Sequence, residues 1–411
     1  MNNCDTTPLL CYDDALTQLT ESVAPLASVL EVPLLQAHGR VLARNIDAGI
    51  DVPGCAMSSM DGYAINTSDI GAAAVTELPL VQRIAAGDSE AALEAGSAAR
   101  IFTGAPIPRG ADAVIMQEQV EVAGQTIRFE ARPDSGQNIR PRGNDIQRGT
   151  TILQQGSRLR PQDIGLAASV GLQSLPVYAP VRVGIFFTGD ELVEPGQPLA
   201  SGKIYDSNRY TLHGLLESMG CEIVDLGLVG DTLEATRSAM LQACGRADLV
   251  VTSGGVSVGE EDHVRIAIEQ LGELRLWRLG IKPGKPLAYG RINDTAFIGL
   301  PGNPVSVFAT FCLFVSPVIA IMQGRSWRKP IALPVRADFD WPKPDSRREF
   351  LRARLVLDDD GNTVARIYPN QDSGVLTSTV WADGFVEIAE NTTVRAGDRV
   401  NYLPFTQFFQ G

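Results

Sequence analysis

From Pro180 onward strands and helices alternate with short connections, and no other feature limits the possible folds of this chain so severely. The run from Val181 to Phe187 has the apolar character of a strand covered on both faces. Asp206 then stands as a candidate N-cap for a helix carrying Leu212, Leu215, Leu216 and Met219 on one face, with Gly220 as its stop. Strand Ile223 to Val229 leads into Asp231, which with Glu234 resembles a capping box for a helix ending near Gly245; strand Leu249 to Thr252 follows. Repeated units of this length imply a parallel, doubly wound sheet, whose ligands gather at the carboxyl ends of its strands. The loops TGDE, GDT, SGGVSVGEED and GLPGNP are therefore the expected site edge.

A chain of 411 residues outgrows a single core, so roughly two to four domains are expected. Leu16, Leu19 and Val23 mark a first helix across Asp13 to Val23. Short strand-like runs, including Ala113 to Met116 and the alternating Ile127 and Phe129, follow as an inserted β-rich module. A helix over Pro161 to Val170, with proline at its start and Gly171 at its end, returns to the N-terminal unit. Beyond Lys329, alternating Ile331, Leu333 and Val335 and the runs Phe350 to Leu355 and Val364 to Tyr368 read as short strands. The expected fold is a multidomain α/β protein: a discontinuous N-terminal domain of residues 1–47 and 133–180, a β-rich module of 48–132, a central doubly wound parallel α/β domain of 181–328 and a small C-terminal β domain of 329–411. Pro304 to Met322 has the length and apolarity of a membrane span, but Pro317, Ser306, Thr310 and the glycine loop before it suit a buried helix.

The formal net charge of -13 argues against a protein that coats nucleic acid, so any bound anion must be held by a local basic cluster. The six cysteines, Cys4, Cys11, Cys55, Cys221, Cys244 and Cys312, show no CxxC spacing and fit reduced thiols of a cytoplasmic protein. The N-terminus carries no secretory pattern, and neither nucleic acid nor a membrane is an expected partner. His38, His213 and His263 have no metal-ligand spacing.

Three loops carry candidate chemistry. Ser253, Gly254 and Gly255 follow a buried strand and precede a helix, where glycines let backbone N–H groups approach a phosphate. Such a loop alone is more often a tight turn, but Glu191, Asp206, Asp231, Glu260, Glu261 and Asp262 share the sheet edge and several carboxylates there suit Mg2+, although Asp206 and Asp231 also fit plain N-caps and Glu260 and Glu261 better fit a solvated helix start. Lys282-Pro283-Gly284-Lys285-Pro286 holds two lysines three apart on a proline-restricted backbone, a preorganised anion site with Arg278 just upstream. In GLPGNPVS, Asn303 is placed to cap the long helix and Pro304 to take its first position, leaving free N–H groups and Ser306 to face an anion. The loops at Asp61, Thr103 and Asp145 are, on physical grounds alone, polar turns.

Taken together and in order, SSMDGYA, IFTGAPIPRGADAVIMQEQ, GQNIRPRGNDI, TGDEL, YDSNR, SGGVSVGEED, KPGKP and GLPGNPVS resemble the MoeA family of molybdopterin molybdenumtransferases, which are related to the C-terminal domain of gephyrin. Val181 to Gly324 alone resembles the molybdopterin adenylyltransferase fold. The resemblance implies a homodimeric enzyme that inserts molybdate into adenylylated molybdopterin with Mg2+-dependent release of AMP. It implies catalytic roles for Asp61, Thr103, Asp145, Glu191, Asp231 and Asp262, with the first three acting across the dimer interface and Glu191 and Asp231 at the metal. By the same comparison Ser253, Gly254, Gly255, Arg278 and Pro301 bind the pterin substrate. Lys282, Lys285, Pro286, Ser306, Arg347 and Ser373 bind molybdate. The adenylyltransferase that makes the substrate and the chaperones of molybdoenzymes are the implied partners. Two rival readings are adenylylation of molybdopterin from ATP, against which the N-terminal and C-terminal motifs argue, and a non-enzymatic scaffold like the gephyrin relatives.

Overall fold

The computed structural model describes residues 9–255 and 263–410. Its centre is a six-stranded sheet in the order Glu222–Val229, Arg182–Thr188, Leu249–Ser253, Thr295–Leu300, Pro286–Ile292, Gly272–Arg278. The first four strands are parallel and the last two antiparallel. The expected parallel, doubly wound order holds for these four strands, and the connections explain the antiparallel pairings at one edge: Asn293 and Asp294 join two strands directly, with Asn293 at positive φ, and so short a link permits only an antiparallel hairpin.

Alternate residues of Arg182–Thr188 feed two cores. Val183, Ile185 and Phe187 pack with helix Asn208–Ser218 and the long helix Pro304–Met322, whereas Phe186 packs with helices Leu233–Cys244 and His263–Leu271. Gly184 lets the second layer close, since a Cβ there would lie 3.0 Å from the Ala243 Cβ. Residues Pro304–Met322 form one 19-residue helix with a π-helical stretch at Phe311–Val315, and 89% of its most apolar window is buried in this core. The buried-helix reading holds and the membrane reading does not.

Helix Tyr12–Glu21 is capped by the Cys11 thiol, which accepts from the Asp14 N–H, and it stops short of the expected Val23. Tyr12, Ala15, Leu16 and Leu19 bury in the core of the central sheet, and Tyr12 meets Phe314 and Phe350 edge-on. By packing, this helix goes with the α/β unit, and only from Val29 does the chain pair with Ser174–Tyr178. A separate six-stranded sheet lies between Gly62 and Phe129.

At the C-terminal end, strands Arg348–Leu357, Thr363–Ile367, Leu333–Ala337, Arg399–Pro404 and Gly384–Ile388 close into a small barrel, because the last pairs with both its neighbour and the first. The two-residue strand Ile281–Lys282 adds to Arg348–Leu357 in parallel, with Lys282 opposite Glu349. That pairing ties the basic loop of the central domain to the barrel.

Candidate functional site

A cleft of about 880 Å3 opens at the carboxyl edge of the central sheet, where the barrel meets it. Of the residues singled out in the sequence, Glu191, Asp206, Ser253, Gly254, Lys282, Lys285, Pro286, Pro301, Ser306, Arg347 and Ser373 line it. Gly255 follows directly at positive φ, and Arg278 stands across the strand ladder from Pro286 without reaching the cleft wall. Asp262, with Glu260 and Glu261, lies outside the described residues. Asp231 sits just past the strand Glu222–Val229 and is not in the wall.

The expected capping box at Asp231 is displaced by one residue: Thr232 is the cap, its hydroxyl accepting from the Ala235 N–H. The N-cap expected at Asp206 is likewise displaced to Ser207, and Asp206, one residue before it, accepts from the Arg209 N–H at 3.1 Å. Its other oxygen, Oδ2, is buried with no hydrogen-bond partner among the described residues, and burial raises the carboxyl above the usual carboxylate range. Asn208 donates to Ser253 Oγ at 2.9 Å and to the Gly302 carbonyl at 2.7 Å, which orients its amide and leaves Oδ1 buried without a donor. Among the described residues, two acceptors are therefore unmet at this end of the cleft.

The opposite end is basic, but two of its three cations are partnered. Lys282 Nζ lies 2.8 Å from Glu349 Oε1 and 3.4 Å from Asp345 Oδ2. Arg347 grips Asp345 through Nε at 2.9 Å and Nη2 at 2.8 Å, and these bonds hold the Asp345 carboxyl well below its usual range. Glu349 is buried, and its second oxygen accepts from Trp341 Nε1 at 2.7 Å. Lys285 is exposed and has no carboxylate partner among the described residues. The two lysines of KPGKP are thus unequal, one built into a buried ion pair and one open to the cleft.

The start of the long helix also differs from expectation. Pro304 takes the first position, but the Asn303 side chain does not cap it: its amide donates to Ser373 Oγ at 2.9 Å, and the Val305 N–H donates to the Ser373 carbonyl. The Val305 N–H at the helix terminus is thus spent on docking the barrel loop. Gln371 and the buried Arg352 hold that loop, with Gln371 Oε1 accepting from the Arg352 N–H and the Arg352 guanidinium donating to Ser378 Oγ and the Asp372 carbonyl. Asp345, Glu349, Asn208 and Arg352 went unread in the sequence. Only Asp345 left a local signal, an Asx turn in which it accepts from the N–H of Arg347 two residues on.

A second polar cluster forms outside the cleft. Asp61 Oδ1 accepts from both the Thr103 N–H at 2.8 Å and the Thr103 hydroxyl at 2.9 Å, which lowers the Asp61 carboxyl. Asp145 is exposed on the loop after Ile139–Arg140, the two-residue strand that pairs with Met57–Ser58 just before Asp61. None of these three lines the cleft within one chain.

Three family models cover most of the sequence. The MoeA N-terminal region (domain I and II) matches residues 10–171, a probable molybdopterin binding domain 184–321, and the MoeA C-terminal region (domain IV) 334–405. A molybdopterin molybdenumtransferase of Haemophilus influenzae is 39% identical over 400 residues, covering 97% of this chain and 99% of that protein. The chain belongs to the MoeA family. Molybdopterin molybdenumtransferase 2 of Mycobacterium tuberculosis is 33% identical over 92% of this MoeA chain and 95% of its own length. The crystal structure of a molybdopterin biosynthesis MoeA protein from Pyrococcus horikoshii matches the fold with a TM-score of 0.84 at 31% identity, covering 96% of this MoeA chain and 100% of that one.

Proposed function

We propose that this MoeA-family chain takes molybdate and adenylylated molybdopterin into the cleft and, with Mg2+, completes the molybdenum cofactor as AMP leaves. As a molybdopterin molybdenumtransferase it is an enzyme of molybdenum cofactor biosynthesis. The single observation that carries the finer reading is the polarity of the cleft, with Lys282, Lys285 and Arg347 at one end and the Ser253 and Gly254 loop with unmet acceptors at the other. A ligand matched to it has an oxyanion near the lysines and N–H donors or a cation at the far end.

Among the described residues no group of three or more His, Cys, Asp or Glu converges on one point. Mg2+ needs no such group, since one or two carboxylates, substrate phosphates and water complete its shell. Glu191 and Asp206 in the cleft wall, with Asn208 Oδ1, supply hard oxygens of the right kind, whereas Asp231 is placed outside the wall. Mg2+ bound there would offset phosphate charge as AMP departs. Ser253 and Gly254 orient the phosphates, Lys285 offers its three N–H donors to the oxyanion, and Lys282 and Arg347 add donors whose directions are fixed by their carboxylate partners. No protein nucleophile is required.

Asp61, Thr103 and Asp145 act, in this reading, on the cleft of the partner in a homodimer. The five described cysteines are free thiols, in keeping with a cytoplasmic enzyme. A mixture of Asp61→Ala and Glu191→Ala chains, each inactive alone, tests the arrangement: a shared site leaves one intact copy per heterodimer and partial activity returns. No recovery after confirmed subunit exchange places the whole site in one chain and overturns it.

A further inference from the structure

Two of the three cations in the cleft wall face the same carboxylate. Arg347 meets Asp345 through Nε and Nη2, and Lys282 Nζ approaches Asp345 Oδ2 at 3.4 Å. The Arg347 N–H, 3.0 Å from Asp345 Oδ1, fixes that carboxylate against the backbone of its own partner. A carboxylate offers a guanidinium the same fork of two acceptors that one edge of a tetrahedral oxyanion offers. Asp345 therefore already occupies the donors an incoming oxyanion would seek.

We propose that Asp345 is a positioning residue, a resident counter-anion that aims Arg347 and Lys282 and holds down the cleft's affinity for free oxyanions. The proposal rests on reading the basic end of the cleft as an oxyanion site. The donor inventory makes its consequence concrete. A guanidinium has five N–H bonds and an ammonium three. Asp345 takes two from the Arg347 side chain, and Asp345 with Glu349 takes two from Lys282, so the rest are left in fixed directions. An oxyanion binding to them meets the negative charge of Asp345 directly behind. It must share donors with that charge or displace it, and in both cases affinity falls. Lys285, with no carboxylate partner among the described residues, then supplies the attraction that is not offset.

Asp345→Asn tests this with little disturbance. The amide keeps Oδ1 for the Arg347 N–H and Nε and turns an NH2 toward Arg347 Nη2 and Lys282 Nζ, where donors meet donors and release one another. Binding of molybdate and of sulfate to the full-length chain is measured by equilibrium dialysis at two salt concentrations, for the parent, Asp345→Asn, Asp345→Glu, Lys285→Ala, Arg347→Ala and Asp345→Asn with Arg347→Ala. Removing one like charge within about 6 Å of a bound dianion is expected to tighten both anions about ten- to hundredfold, more at low salt. Asp345→Glu stays near the parent, and the added Arg347→Ala removes the gain. A merely structural Asp345 gives no gain in affinity, so parent-like or weaker binding by folded Asp345→Asn overturns the proposal while leaving the oxyanion reading intact. Binding that ignores both Lys285→Ala and Arg347→Ala shows instead that the anion sits elsewhere, and then the reading fails together with the proposal.

Discussion

Replacing Lys282 by alanine is expected to loosen the barrel, not only to weaken an anion. Lys282 stands opposite Glu349 on the strand that joins the central domain to the barrel, and the Glu349 side chain is 2% exposed. Removing one partner of a buried ion pair costs about 3–5 kcal/mol, because the other charge is left without compensation. Two features reduce this here: Glu349 keeps the Trp341 hydrogen bond, and the Lys282 side chain is 40% exposed, so water enters once it is gone. A cost of about 2–3 kcal/mol is therefore expected, which accelerates exchange of amides in strand Arg348–Leu357 by about 30- to 150-fold. Hydrogen exchange read by mass spectrometry is the right assay, since it reports on this strand separately in a multidomain chain. Adding Glu349→Gln to Lys282→Ala removes the stranded charge and restores most of the protection. Lys285→Ala changes exchange by no more than twofold, because its ammonium is exposed and has no carboxylate partner among the described residues. Parent-like exchange in Lys282→Ala, or a double variant no better protected than the single one, refutes the reasoning.

Two further outcomes follow from the same geometry. Burial raises the Asp206 carboxyl, so its folded-state pKa lies above the unfolded value, and the stability linked to that difference is present at low pH and lost as pH rises through the folded pKa. Asp206→Asn should therefore gain stability relative to the parent as pH rises above the usual carboxylate range in urea titrations; a difference that is flat with pH shows that Oδ2 finds a partner. Gly284, between the two lysines, has φ +106, and a Cβ there would lie 2.5 Å from Thr310 Cγ2. Gly284→Ala should cost about 2 kcal/mol or more and weaken oxyanion binding by moving the loop, and a variant with the parent's denaturation midpoint contradicts this.

Much of this architecture is legible in the chain itself, because it follows from local periodicity. The alternation after Pro180 gives strands at Arg182–Thr188, Glu222–Val229 and Leu249–Ser253 and places the TGDE, glycine and GLPGNP loops at one edge, since parallel strands joined by helices have all their carboxyl ends on the same side. The ordered motifs reach the family as well. Other features depend on which segments meet, and no window of sequence contains both partners. Lys282 reads as an open ammonium until its two-residue strand joins a barrel strand beginning 66 residues later and sets it against Glu349. The N–H groups of the long helix read as free until the loop bearing Ser373 docks on them, and Asp206 reads as a plain cap until burial strips its second oxygen of partners. Sequence fixes which groups carry charge and which backbone can turn. Whether a charge faces a ligand or a buried counter-charge is decided by desolvation and distance, and these exist only once the domains have packed.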